Sequence, residues 1–508
     1  MSDTIPPFVR QDLTPERAAP IRTTGAIAWI NSRLFGTPMN ILLTVASILL
    51  LWFTIVPTVQ FLLIDAVWQG ADRDACLEAN VGRTVGACWP FIQAKFPQFI
   101  YGFYPDNQKW RVNLTFALAV LLLVPLLIPR APAKITNAVL FFGAFPVVAF
   151  FLLYGGGIAG FGTTWSSDFL QAIADSIGDG GRRLAATGNA IDIAGITQAL
   201  LLLGRGLEVL AYGLSLVLWP LTWLRGALQV SSEPVWNDLA VTAVVISGLI
   251  FVLKGGFRGG LRALGVSLAV FASIGTGIAL MGLDRGGLPI VDTRQWGGML
   301  VTLVVSVTGI VASMPIGIAL ALGRRSDIPL IRASAIGFIE FWRGVPLITV
   351  LFFATYMLPL FMPQGFTIDG MARVLIGVAL FAGAYNAEVI RGGLAAIPRG
   401  QVEAANAVGL SYWKTTGLIV MPQALRHVIP GLVNSFIALF KDTTLVLIVS
   451  IFDLLGQMRA AFADPNWATP TTLFTGFAFA GMIYFAFCFA MSRYSLFVEK
   501  RLNAHRRT

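Results

Sequence analysis

Three charge pairs stand out in a chain that otherwise avoids charge: Glu340 with Arg343, Glu388 with Arg391, and Lys441 with Asp442. The first two pairs are three residues apart, a spacing that puts carboxylate and guanidinium on one helix face, where they neutralise each other. Lys441 and Asp442 are adjacent and point in different directions. All six lie in or beside apolar runs, and ionisable groups at membrane depth are costly enough that they usually face a bundle interior or a wet path. These residues would supply both a cationic and an anionic side chain to such a path. The alternative is that the pairs sit at a membrane interface and only hold helix ends. Catalysis is poorly served. With only His427 and His505, three cysteines and carboxylates already matched to arginines, the chain offers no metal set, no histidine base and no nucleophile with its base. No lysine follows a glycine anywhere, so a phosphate-binding loop ending Gly-Lys-Ser/Thr is absent.

A second cluster is built for docking. Gly400 to Gly409 reads Gly-Gln-Val-Glu-Ala-Ala-Asn-Ala-Val-Gly, followed at a distance by Ile419-Val420-Met421-Pro422. Pro398 suits the first turn of a helix, Gln401 to Val408 tolerate it, and Gly409 fits the left-handed residue that ends it. Ser411 can cap a second short helix through Lys414 and Thr416, which Pro422 is expected to stop at Met421. The result is a helix-turn-helix knob, with Ala404 and Ala405 as a nearly flat surface and Glu403 as a carboxylate for a partner's arginine. An ordinary amphipathic loop helix lying on a membrane surface is the other reading.

The elements that must position these residues are membrane helices. Of 508 residues 56% are hydrophobic and 12% charged, and the mean hydropathy is +0.76, which excludes a water-exposed globule. Apolar runs near 41–63, 112–129, 136–154, 237–253, 260–282, 298–322, 335–361, 371–390, 433–453 and 472–492 predict an all-α polytopic membrane protein of about ten helices, each needing roughly 20 residues to cross ~30 Å of hydrocarbon. The net charge of +10 sits beside these runs, so it reads as topology and not as a nucleic-acid surface. Arg130, Lys134, Lys254, Arg258, Arg324, Arg325, Arg391, Arg399 and the tail Lys500, Arg501, Arg506 and Arg507 are placed in the cytoplasm. These anchors demand an odd number of crossings between 130 and 290, where four candidates lie. The run 207–223 is taken as interfacial or re-entrant because Arg205 and Glu208 foul its start and Pro220 its end. Residues 1–40, with Arg10, Arg17, Arg22 and Arg33, read as a cytoplasmic arm and not a cleavable signal. Polar stretches at 64–111 and 156–206 face the periplasm in this scheme. If the first meets an oxidising compartment, Cys76 and Cys88 could close a disulfide worth ~3 kcal/mol; two free thiols are the alternative.

Glu403, Ala404, Ala405, Gly409, Ile419 and Pro422 resemble the Glu-Ala-Ala motif of ABC importer permeases, with Met421 where the motif has leucine. Glu340 to Leu347, Gly383 to Glu388 through Arg391-Gly392-Gly393, and Phe440 to Leu445 are similar to the permeases for polar amino acids. Cys88-Trp89-Pro90-Phe91, Tyr101 to Pro105 and Trp296-Gly297-Gly298 narrow the resemblance to one permease subunit of a general L-amino-acid importer. Matching stretches cover 20–155 and 285–500, and the part between is longer than the resemblance leads one to expect.

The resemblance implies five helices of a type I permease core at 285–497, with a cytoplasmic coupling loop at 391–432. Around it stand N-terminal membrane helices at 41–155, an extra segment at 156–284 and a basic tail at 498–508. It implies a multi-pass protein of the bacterial inner membrane that binds no cofactor itself and is no enzyme. ATP would be used by partner ATPase subunits gripping the knob. A second homologous permease would complete the pore, and a periplasmic amino-acid-binding protein would deliver the L-amino acid. The competing class is an ion-coupled secondary transporter or channel complete in one chain. It accounts for charges within the spans but not for the knob, and the inverted repeats it predicts are not found.

Overall fold

The computed structural model describes residues 29–30, 33–128, 131, 134–157, 168–190, 194–227, 230, 234–253, 257–280, 282, 287–362 and 368–502. Most of the cytoplasmic arm, with Arg10, Arg17 and Arg22, lies outside the described residues, as do Arg130, Lys254, Arg506 and Arg507. Contacts divide the chain into two compact units. One takes residues up to Phe99 together with Leu455–Tyr494, and the other takes Ile100–Leu454 with the stretch from Ser495 onward. Contacts thus group the chain differently from the consecutive segments read in the sequence.

The first unit contains α1 (Pro38–Val59) and most of α2 (Trp89–Tyr101), α15 (Leu454–Ala461) and α16 (Thr472–Leu502). Thr37 caps α1 by accepting a hydrogen bond from the Asn40 amide at 3.1 Å, and no residue of α1 is buried. Trp52 and Phe53 are 63% and 71% exposed, an outer surface suited to lipid and not to water.

The second unit holds α3 (Lys109–Leu127), α4 (Lys134–Tyr154), α5 (Asp168–Ala190), α6 (Ala194–Ala227), α7 (Pro234–Leu253) and α8 (Phe257–Leu280). The core follows: α9 (Gly298–Arg324), α10 (Pro329–Gly344), α11 (Leu347–Phe361), α12 (Gly370–Ala395), α13 (Arg399–Ala407) and α14 (Tyr412–Val449). α5 packs on α6, and α7 packs on α8 and α6. The core is organised around the α9–α12 pair, with Leu300, Val305, Leu351, Val374, Val378 and Leu439 in one buried cluster and Ala321, Ile390, Leu394, Ala424 and Val428 in another.

Nine described helices are long and apolar enough to cross a membrane, or ten with a bent pair taken as one. Two expectations change. The run 207–223 was expected to be interfacial, yet it belongs to α6, a 34-residue helix apolar over Gly195–Leu224, whereas the apolar part of α7, Leu239–Leu253, is short for a span. At 1.5 Å per residue α6 is about 51 Å long, enough to hold Arg205 or Glu208 clear of hydrocarbon and still cross; Pro220 removes one hydrogen bond without ending the helix. The run 335–361, expected as one span, is α10 and α11 set at 102° to each other. The break falls at Val345-Pro346, where proline can donate no hydrogen bond and holds its predecessor extended (φ −102, ψ 131).

Candidate functional site

Glu388, on the last third of α12, is the hub of a charge network. Its Oε1 accepts from Arg324 Nη1 at 2.5 Å, and its Oε2 lies 3.0 Å from Arg391 Nη2, whose Nε also donates to both carboxylate oxygens. Arg324 reaches Glu340 Oε1 as well, at 3.2 Å. The expected Glu388–Arg391 pair is therefore formed, whereas Glu340 turns to Arg324 and not to Arg343. Arg343 instead stands over the Tyr385 ring at 5.8 Å, a cation–π distance. Three helices thus meet through ions. With Glu340 and Glu388 against Arg324, Arg343 and Arg391, three positive and two negative charges leave one positive charge in excess. Asn386, buried two residues before Glu388 on α12, donates to Ser313 Oγ on α9 at 2.9 Å, an interhelical polar tie between the same two helices.

The knob follows α12 directly. Pro398 stands one position before the expected first turn, as the extended residue preceding α13 (ψ 138), which fixes the entry angle. The helix closes with the Gly409 amide on Asn406 O at 2.9 Å and the Leu410 amide on Ala405 O at 3.1 Å, the pairing that requires a left-handed residue. Gly409 supplies it with φ +80. Beyond Ser411 the chain re-enters helix at Tyr412, and Pro422, expected to stop it, does not. A π turn over Thr416–Val420 lets the Met421 amide reach back to Thr416 O, so that Pro422 falls in the first turn of the segment that runs to Asp442, where no amide is required of it.

Ala404 and Ala405 do not share a surface. Successive helix residues diverge by about 100°, and Ala405 is turned inward at 3% exposure while Ala404 and Glu403 face out. Val402, Val420 and Met421 tie the knob to Ile390 and Leu394 of α12, and Gln423 Nε2 bridges to Ile419 O at 3.0 Å. After α13 Val408 is 80% exposed, and at the start of the Tyr412–Val449 helix Trp413 is 74% and Leu418 71% exposed. Below the knob, α12 and α14 come into near-backbone contact, since a Cβ on Gly393 would lie 2.7 Å from Ala424 O.

Residues 313–504 match the family described as binding-protein-dependent transport system inner membrane component. Over its whole length the chain is similar to two bacterial proteins. It is 35% identical over 97% of both chains to the inner membrane amino-acid ABC transporter permease protein YhdY of Escherichia coli. It is 38% identical over 100% of both chains to the glutamate/glutamine/aspartate/asparagine transport system permease protein BztC of Rhodobacter capsulatus. The chain belongs to the amino-acid ABC transporter permeases. A shorter relative, the probable glutamine ABC transporter permease protein GlnP of Bacillus subtilis, is 34% identical over 88% of its own length and 39% of this chain. The permease is a multi-pass membrane protein, and its family is a membrane subunit that is not itself an ATPase.

Of the remaining sequence-predicted residues in the permease, Lys441 is exposed and Asp442 half-buried at the end of a helical segment, and no ion pair among the described residues joins them to the Glu388 network. Ile419 and Pro422 lie on the knob as read. Cys76 and Cys88 are joined in a disulfide with Cα atoms 5.8 Å apart, and both are buried. Their loop is held within its own unit: the Cys88 amide donates to Thr475 Oγ1 at 2.9 Å, the Arg73 amide to Asn466 O at 3.0 Å, and Lys95 forms an ion pair with Asp464. Sequence reasoning missed Arg324, which it took only as a topology anchor. Spacing alone points Arg324 to Asp327, three residues on, so its pairing with Glu340 and Glu388 is set by which helices meet.

Proposed function

We propose that this permease is the pore-forming subunit of an ATP-driven importer in a bacterial inner membrane, carrying L-amino acids from periplasm to cytoplasm by alternating access. Separate ATPase subunits hydrolyse the ATP and dock on the knob at Glu403, Ala404, Ala405, Gly409, Ile419 and Pro422. A second homologous permease completes the pore and a periplasmic binding protein delivers the amino acid. The observation that carries this reading is the knob itself: a polar helix with an exposed apolar rim, closed by a left-handed glycine and anchored to α12 and α14. Trp413 in that rim is an exposed aromatic of the kind whose truncation weakens docking most.

A docked ATPase would act on the core through short, stiff links. Val402 and Val420 bear on the end of α12, and α12 carries Arg391 about one turn and Glu388 about two turns before that end. Movement of the knob would therefore shift the network that joins α9, α10 and α12, which is the kind of bistable contact that rocking helices use. The same network, with one excess positive charge, offers both signs to a zwitterion along the path, and Lys441 and Asp442 are assigned there with it. Relatives named for amino-acid transport support the substrate class.

The complex purified from its native membrane and placed in proteoliposomes tests the reading. Wild type should take up amino acid only with ATP. Gly409→Pro, which cannot adopt φ +80, should hydrolyse ATP with at least tenfold less uptake. Full coupling in that variant would refute the role of the knob.

A further inference from the structure

Arg111 lies within the first turn of α3 and has no exposed surface. A fully buried guanidinium usually has a carboxylate beside it; here, among the described residues, its donors go almost wholly to main-chain carbonyls. Nε donates to Leu152 O at 2.5 Å, Nη2 to Phe151 O at 3.4 Å and Nη1 to Pro289 O at 2.9 Å, with Gln108 Oε1 at 3.3 Å. Phe151 and Leu152 belong to the last turn of α4, where unpaired carbonyls form the negative end of the helix dipole and favour a cation. Pro289 begins the strap 289–297, which leads straight into α9.

The same place is stitched by backbone. The Val291 amide donates to Tyr154 O at 2.8 Å, Gly156 to Leu288 O at 2.7 Å, Phe103 to Gln295 O at 3.0 Å, and Gly298, at the head of α9, to Phe452 O at 2.9 Å. Tyr104 adds its hydroxyl to Leu153 O at 2.8 Å. Gly155 sits so close that a Cβ would be 2.2 Å from Pro289 O. One planar, five-donor fork therefore joins the end of α4 to Pro289, which lies 178 residues beyond Arg111, a task that a single-point ammonium cannot perform.

We propose that Arg111 is a positioning residue of the transport cycle, a buried tie that fixes α3 and α4 to the strap at the head of α9, so that these helices and the first core helix move as one body. The proposal rests on the importer reading for its cycle, but not for its tie. It makes no contact with substrate.

The test compares Arg111→Met and Arg111→Lys with wild type in the purified complex, by amide exchange and by the ATP consumed per amino acid imported. In Arg111→Met, exchange at Val291, Gly156 and Phe103 should rise at least tenfold with the amides of α13 unchanged, and the ATP-to-substrate ratio should rise at least threefold. Arg111→Lys, keeping the charge but not the fork, should fall between. Loss of uptake and hydrolysis in proportion, at a constant ratio, would show a folding role only and overturn the proposal, as would wild-type exchange in Arg111→Met. If Arg111→Met does not assemble, Arg111→Lys decides by the same two readouts. Absence of ATP-driven uptake in wild type would defeat the importer reading, while exchange would still settle the tie.

Discussion

Lys95 and the amide of Asn466 hold the carboxyl of Asp464 below the usual carboxylate range. A carboxylate whose folded value is depressed contributes stability above its unfolded value, near ~3.9, and loses that contribution as pH falls through the folded value. Asp464→Asn should therefore weaken the loop at pH 7 by about 1 kcal/mol, a partly buried ion pair being worth that order, with wild type and variant converging below about pH 4. Exchange of the Arg73 amide, which donates to Asn466 O, reads this directly: about fivefold faster in the variant at pH 7 and equal to wild type at acid pH. At this scale the sequence was legible where contacts are local. The three-residue spacing revealed Glu388 with Arg391. It could not reveal Arg324, or the Lys95–Asp464 pair, because those depend on which helices and loops meet.

Elements were legible by their apolar period and length, and misread at prolines: Pro422 and Pro220 were taken to stop or foul a helix, and Pro346 was passed over. Proline ends a helix only if the lost hydrogen bond cannot be moved elsewhere. At Pro422 a π turn absorbs it, at Pro220 a long helix tolerates it, and at Pro346 the chain bends through 102°. The contact that matters most between elements is invisible in any one of them. At Gly393 a Cβ would meet Val428 Cγ1 at 2.5 Å and Ala424 O at 2.7 Å, and a backbone oxygen cannot swing aside. Gly393→Ala should force α12 and α14 apart, destabilise the protein by about 1–3 kcal/mol in denaturant titration, and weaken ATP-driven uptake. Its neighbour Gly392, where nothing lies within 4 Å, is the control: Gly392→Ala should behave as wild type.

For the whole molecule, the described residues that flank 158–286 lie side by side, since Gly156 and Leu288 pair backbone to backbone. A segment between two such neighbouring points can be removed with little loop-closure cost. Replacing 158–286 by a short glycine linker should leave a folded permease that still couples ATP hydrolysis to uptake; loss of assembly would show that α5 to α8 are part of the core's support. The central claim is that the knob receives a separate ATPase, and the most direct measurement is photo-crosslinking from a benzoyl-phenylalanine placed at Trp413, 74% exposed on its rim, in native membranes. The account predicts one dominant adduct, to an ATP-binding protein, lost when that protein is stripped from the membrane. Adducts to lipid or to a periplasmic protein alone would contradict it.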